Sequence, residues 1–209
     1  LQALSVADFK AAWAEEDALV LDTRHQDEFA KGHIPGAISI GIEGDFAPWV
    51  GALITDLKQA ILFVADAGSE EEVVTRLARV GYDMPIGYLE GGMTAWAAAN
   101  EDIEQVAELS ADELAARFDG ENLAVLDVRR TSEYNAEHLI GAQNFPLDFI
   151  NRNMSELRTD QTYYLHCAGG YRSMIAASIL KARGYNAIVN VKGGYKALVE
   201  TALPRTEYQ

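Results

Sequence analysis

Cysteine is nearly absent: one residue in 209, so no internal disulfide is possible. The four histidines are not gathered into a metal-ligand cluster, and neither a metal nor a cofactor is expected within this chain. Basic side chains are scarce too. Seventeen lysines and arginines stand against 32 aspartates and glutamates, for a net charge of −15. A field of that sign repels polyanions, which argues against a nucleic-acid partner. An anionic small substrate would need a locally positive pocket, so an arginine beside a candidate nucleophile becomes informative. No apolar run approaches the ~18 residues of a membrane span, and no secretory signal segment opens the chain. The expectation is a soluble protein of the reducing cytoplasm with no membrane partner. The first residue is Leu1 rather than methionine, which reads as a piece of a longer polypeptide.

The length suits two domains of about 100 residues each. An internal repeat supplies them. Val20-Leu21-Asp22-Thr23-Arg24, with Glu28-Phe29 and Gly32-His33-Ile34-Pro35-Gly36-Ala37, returns as Val125-Leu126-Asp127-Val128-Arg129, with Glu133-Tyr134 and Glu137-His138-Leu139-Ile140-Gly141-Ala142. Later, Arg79-Val80-Gly81-Tyr82 and Glu90-Gly91-Gly92 answer to Arg183-Gly184-Tyr185 and Lys192-Gly193-Gly194. A period this long is a domain duplication, not a solenoid. The expected division is residues 1–100, a polar linker at 101–108, and residues 109–209. Each copy opens on a serine-led helix start, at Ser5 and Ser110. Short apolar runs at 19–21, 61–65, 124–126, 163–165 and 187–191 read as strands alternating with helices, which implies parallel sheets covered on both faces.

The second copy carries Tyr163-Tyr164-Leu165-His166-Cys167-Ala168-Gly169-Gly170-Tyr171-Arg172-Ser173-Met174. It reads as a buried strand, a glycine-containing loop and a helix over residues 172–183. Backbone N–H groups of such a loop, with the helix N-terminus, can converge on an anion. These donors and a guanidinium favour thiolate over thiol at Cys167. Arg172 can hold an oxyanion in a bidentate fork, and Ser173 can donate to it or cap the helix. A lone cysteine is ordinarily a small buried hydrophobe; the strand, cysteine, glycines, arginine and helix in this order point to a reactive thiol instead. His166 precedes the thiol on the strand and should face away from the loop, as a hydrogen-bonded core residue.

The Asp-x-Arg, Glu-Phe/Tyr, Gly-His-Ile-Pro-Gly-Ala and Cys-x-x-Gly-x-Arg-Ser elements resemble the rhodanese family of sulfurtransferases. The resemblance implies two α/β domains, each a mostly parallel sheet with helices on both faces. It implies that Cys167 accepts a sulfane sulfur as a persulfide, and that Ala168, Gly169, Gly170, Tyr171, Arg172 and Ser173 bind the substrate. The implied partners are a small anionic sulfur donor, such as thiosulfate, and a thiol or cyanide acceptor. A cysteine phosphatase or arsenate reductase would place five residues between cysteine and arginine, where this chain has four. A non-catalytic interaction or redox-sensing module is the alternative of a different class.

In the first copy, Val64-Ala65-Asp66-Ala67-Gly68-Ser69-Glu70-Glu71-Glu72 occupies the corresponding stretch. Asp66 takes the cysteine's place and Glu71 the arginine's, so this copy reads as inactive. Acidic residues at a helix start are more often dipole partners than metal ligands. The sets Asp22, Arg24, Glu28 and Asp127, Arg129, Glu133 occur in both copies, as do His33 and His138. Chemistry confined to one copy cannot explain them, so a shared structural network is expected. Finally, Gly41-Ile42-Glu43-Gly44-Asp45-Phe46-Ala47-Pro48-Trp49-Val50-Gly51 resembles an insertion in tandem rhodanese modules fused behind metallo-β-lactamase-fold persulfide dioxygenases. The resemblance implies such a domain ahead of Leu1. A helix burying Phe46 and Trp49 is the simpler reading of the same residues.

Overall fold

The computed structural model describes residues 1–83, 85–118 and 122–206. The chain divides into two compact units, residues 1–105 and 106–209. The first unit runs β1 (Ala3–Leu4), α1 (Val6–Glu16), β2 (Leu19–Asp22), α2 (Gln26–Lys31), β3 (Ile38–Ser39), α3 (Phe46–Leu53), β4 (Ile61–Val64), α4 (Glu70–Ala78), β5 (Gly87–Leu89) and α5 (Gly92–Ala98). The second repeats the plan with β6 (Ala107–Leu109), α6 (Ala111–Phe118), β7 (Ala124–Asp127), α7 (Thr131–Ala136), β8 (Gln143–Asn144), α8 (Ile150–Asn153), β9 (Tyr163–His166), α9 (Tyr171–Ala182), β10 (Ile188–Val191) and α10 (Gly194–Leu198). Each sheet has five strands, in the orders β1-β5-β4-β2-β3 and β6-β10-β9-β7-β8, and the strand pairings within both are parallel. Helices flank each sheet, as the alternation of apolar runs and helical stretches predicts. Among the described residues, no helix is long and apolar enough to cross a membrane.

The five apolar runs become β2, β4, β7, β9 and β10 to within a residue or two. The other strands hold only two or three residues each, too few to display a period. The polar stretch expected as a linker is shared between the units. Residues up to Gln105 stay with the first: Trp96 Nε1 donates to Asp102 O at 2.8 Å, Lys10 meets Glu101 at 2.7 Å, and His33 pairs with Glu104. Ala107–Leu109 instead form β6, on one edge of the second sheet. Residues 207–209, inside the expected second domain, lie outside the described residues. The serine-led starts are real caps: Ser5 Oγ accepts from Asp8 N–H and Ser110 Oγ from Glu113 N–H, both at 3.1 Å. Phe46 and Trp49 are buried on α3, which packs on α4 within the first unit.

The helix that follows Cys167 differs from its counterpart. In α9 every residue from Ser173 to Leu180 is buried, and the helix packs on β9 and β10. Its alternation of alanine and serine with Met174, Ile175, Ile179 and Leu180 lets it sink deeply, and each large side chain contributes about 1.5–3 kcal/mol of burial. Only Val73 and Leu77 are buried in α4. Helix α9 begins one residue earlier than the sequence suggests, because the left-handed Gly170 turns the chain directly into Tyr171.

In both units the aspartate ending the second strand grips an arginine two residues on. Asp22 takes Arg24 Nε at 3.0 Å and Nη2 at 2.8 Å; Asp127 takes Arg129 Nε at 3.0 Å and Nη2 at 2.7 Å. The same Nη2 donates onward to Gly32 O or Glu137 O, each at 2.8 Å, tying the strand end to the loop after α2 or α7. Both carboxylates are fully buried. Removing one strands a buried guanidinium, so Asp127→Ala and Asp22→Ala are each expected to cost about 3–5 kcal/mol in urea denaturation. A loss below ~1 kcal/mol would show that water replaces the carboxylate.

Candidate active site

Cys167 stands at the carboxyl end of β9, the central strand of the second sheet, three residues before α9. It is 1% exposed. Gly170 N–H donates to its Sγ at 3.0 Å, and Ser173 Oγ lies 3.5 Å from the sulfur. Gly170 holds φ 117°, a region open to glycine, and this turns its N–H inward. The Ser173 hydroxyl reaches Gly170 O at 3.3 Å. Its lone pairs then receive the S–H of the neutral thiol; on ionisation the hydroxyl proton can swing round to the sulfur.

The loop's carbonyls are drawn the other way. Tyr195 N–H donates to Cys167 O at 2.7 Å and Lys196 N–H to Ala168 O at 3.1 Å, so the orphan donors at the start of α10 hold the loop. Beneath it, His166 Nδ1 lies 3.1 Å from the same Cys167 O, and a carbonyl partner requires the proton on Nδ1. His166 is fully buried; burial pushes its pKa below the usual imidazole range, opposed by the Asp127 carboxylate 3.7 Å from Nε2. Among the described residues, Nε2 has no hydrogen-bond partner. His166 therefore touches the backbone of Cys167 and not its sulfur, a supporting position. Tyr195 stacks beside it, lies under the Arg129 guanidinium at 4.1 Å, and donates its hydroxyl to Glu137 at 2.6 Å. Burial first, then that hydrogen bond, raises the Tyr195 pKa to about 12.

Gly170 and Ser173 thus meet the sulfur, while Ala168 gives its carbonyl to α10, Gly169 is exposed at the mouth, and Tyr171 opens α9 half-buried. Arg172 makes its hydrogen bonds to Glu133 rather than to the sulfur, with which it interacts electrostatically. Its Nη1 and Nη2 grip Glu133 at 2.7 and 3.0 Å, and each group stabilises the other's charge: hydrogen bonding to Arg172 holds the Glu133 carboxyl below its ordinary range, and Glu133 raises the arginine. This corrects the expectation of one network shared by both copies. The Asp–Arg pairs are indeed the same, and both histidines bond the preceding turn and stack on its aromatic ring: His33 on Phe29, His138 on Tyr134. Glu28 and Glu133 part company, because Glu28 binds Lys31 at 2.9 Å. Glu133 is the site residue that sequence reasoning missed; an acidic residue repeated in both copies gives no sign that only one of them meets an arginine.

The correspondence expected for the first copy's loop is off by one residue. Asp22 pairs in register with Val64, and Asp127 with His166, an offset of 166 − 64 = 102. Ala65, not Asp66, therefore stands in the cysteine's place. The left-handed Gly68 and Gly170 keep that offset, so Glu70, not Glu71, answers to Arg172. The repeated Gly91 and Gly193 carry the same offset and held the signal in the sequence. The consequence is physical: Glu70 turns its carboxylate back to accept Gly68 N–H at 2.8 Å, the donor that in the second unit serves the sulfur. The first loop is filled by its own side chain, beside a cavity of ≈ 290 Å³ lined by Arg24, Ala65, Asp66, Glu70 and Gly92. Among the described residues, no group of His, Cys, Asp or Glu is placed to hold a metal ion.

Two parallel α/β units of one plan, the second with a buried thiol that accepts a backbone N–H at the end of its central strand, define a duplicated α/β protein with one candidate nucleophile. The chain belongs to the rhodanese-like domain family, whose model matches residues 5–99 and 110–201. It is 40% identical over 72 residues to the uncharacterized protein YqhL of Bacillus subtilis, covering 34% of this chain and 57% of that one. It is 30% identical over 100 residues to a sulfurtransferase of Allochromatium vinosum, covering 47% of this chain and 94% of that one. A rhodanese-like domain protein from Staphylococcus aureus of known structure is 30% identical, with a TM-score of 0.44 over 47% of this chain and 97% of that one. The chain spans little more than half the length of the first two curated relatives it matches.

A Cβ on Gly194 would lie 2.6 Å from Cys167 O and 2.7 Å from Ala168 C, whereas one on Gly92 would come no nearer than 3.9 Å to Ala65 O. Both glycines have positive φ, so either alanine is strained, but only Gly194→Ala must also push the loop aside. Gly194→Ala is expected to slow alkylation of Cys167 by iodoacetamide at least tenfold, with Gly92→Ala near wild type. Equal rates in the two variants would mean that the contact does not set the loop.

Proposed function

We propose that the protein is a sulfurtransferase that carries a sulfane sulfur on Cys167. The observation that supports this most is the 3.0 Å hydrogen bond from Gly170 N–H to a buried sulfur, in a loop whose carbonyls are tied back to α10 and His166. Such a cradle suits a thiolate and then the outer sulfur of a persulfide. The family and the sulfurtransferase relative point the same way.

In the first half-reaction the Cys167 thiolate attacks the outer sulfur of thiosulfate. The S–S bond of the donor breaks, its electron pair leaves with sulfite, and Cys167 becomes a persulfide anion. In the second, a thiolate or cyanide attacks that outer sulfur and the Cys167 thiolate departs. No proton need be removed from water, and among the described residues the hydrogen bonds of the sulfur go to Gly170 and Ser173, not to a carboxylate or imidazole that could activate one. The four-residue spacing from Cys167 to Arg172 favours a sulfur atom over a tetrahedral phosphoryl group. The Gly41–Gly51 insertion extends the reading to service of a metallo-β-lactamase-fold persulfide-oxidising domain in the same polypeptide, in the cytoplasm.

Incubation with thiosulfate should add one sulfur to the intact mass and release one sulfite, and Cys167→Ser should do neither. A wild-type mass that stays unchanged with thiosulfate and with alkyl persulfides would sink the reading and leave a redox-sensing or interaction module.

A further inference from the structure

Arg172 is the natural anion-binding group of the loop, yet both of its outer nitrogens are taken by Glu133. Glu133 is itself fixed from a second side, because the same Oε2 that meets Arg172 accepts Arg130 N–H at 3.0 Å at the start of α7. Arg172 is 18% exposed and Glu133 34%, so the pair sits at the rim rather than in the core. The first unit lacks the contact: there the equivalent Glu28 occupies the same helical position and binds Lys31, and Glu70 stands where Arg172 would be. The pairing is therefore particular to the unit with the thiol.

We propose that Glu133 is a specificity-determining positioning residue, which neutralises Arg172 and so biases the site toward monoanionic persulfide donors over dianionic thiosulfate. The proposal rests on the sulfurtransferase reading and deepens it. A donor oxyanion near the guanidinium must share its N–H groups with a carboxylate that cancels most of the guanidinium's attraction. The attraction of Arg172 lost in this way counts once for a monoanion and twice for a dianion, and at a half-buried rim each charge is worth roughly a few-fold in affinity. Glu133 acts wholly through Arg172 and touches no reacting atom.

Glutamine at this position keeps the capping geometry at the start of α7 and removes the charge. With Cys167→Ser protein, which binds without reacting, Glu133→Gln should tighten thiosulfate by roughly fivefold to tenfold by calorimetry, and a monoanionic alkyl persulfide by less than about threefold. Glu133→Asp, which keeps the charge, should preserve the wild-type ratio of the two. In an Arg172→Ala background the effect of Glu133→Gln should vanish. Glu133→Ala is made alongside, with circular dichroism on each, so that one unfolded variant leaves the other to decide. An unchanged donor ratio in the folded neutral variants, or an effect that survives loss of Arg172, overturns the proposal. These binding measurements are independent of turnover: wild-type persulfide formation with an unchanged ratio refutes this inference alone, and a shifted ratio without any sulfur gain on Cys167 refutes only the sulfurtransferase reading.

Discussion

The site depends on where the carbonyls of the Cys167 loop point. A peptide unit whose oxygen is held on one side presents its N–H on the other. The first backbone donors of α10 take Cys167 O and Ala168 O, and His166 takes Cys167 O from below, which turns the N–H groups of Ala168 and Gly169 to the opposite side; Gly170, at its left-handed φ, adds its own N–H to the sulfur. The close approach needs Gly194, since a Cβ there would overlap the loop backbone. The cradle is thus a product of two helix starts, α9 in front of the thiol and α10 behind it, both fixed to the same parallel sheet.

The two units show how little separates a working loop from an inert one. They share sheet order, the buried Asp–Arg clamp, the histidine stacked on its helix turn and the left-handed loop glycine. In the first, alanine replaces the thiol and Glu70 satisfies the donor that the sulfur would need. A carboxylate bound to its own loop is a local, low-entropy solution that leaves nothing for a ligand to gain at that N–H. The buried clamp persists in both because its loss would strand a guanidinium in the core, whatever the loop does.

The Glu133–Arg172 pair belongs to neither category. It joins α7 to the start of α9 within the second unit, across a sequence separation of 39 residues. Its geometry couples the charge available to a donor to a residue on a different helix, so the rim can be altered without touching the thiol. The depressed Glu133 carboxyl stays ionised at neutral pH, which makes its influence on anions constant there rather than a switch.

The sequence by itself determined the duplication, the parallel α/β plan and the position of Cys167. Each rests on a local pattern: apolar runs that must be buried on both faces, a motif that recurs, and a cysteine followed by glycine and arginine at fixed spacing. Tertiary structure alone decided what each side chain meets. Register in the sheets placed Ala65 rather than Asp66 opposite the thiol's position, because strand pairing counts residues from the buried aspartates and ignores the extra residues that precede β4. Partner choice gave Glu133 to Arg172 and Glu28 to Lys31, since the same residue at the same helical position finds whichever cation lies within reach, at the start of α9 in one unit and on its own helix in the other. The edge strands of two residues, and the sharing of the polar connection between the units, were likewise invisible, because so few residues carry no period of their own and acquire their conformation from the neighbours they pair with.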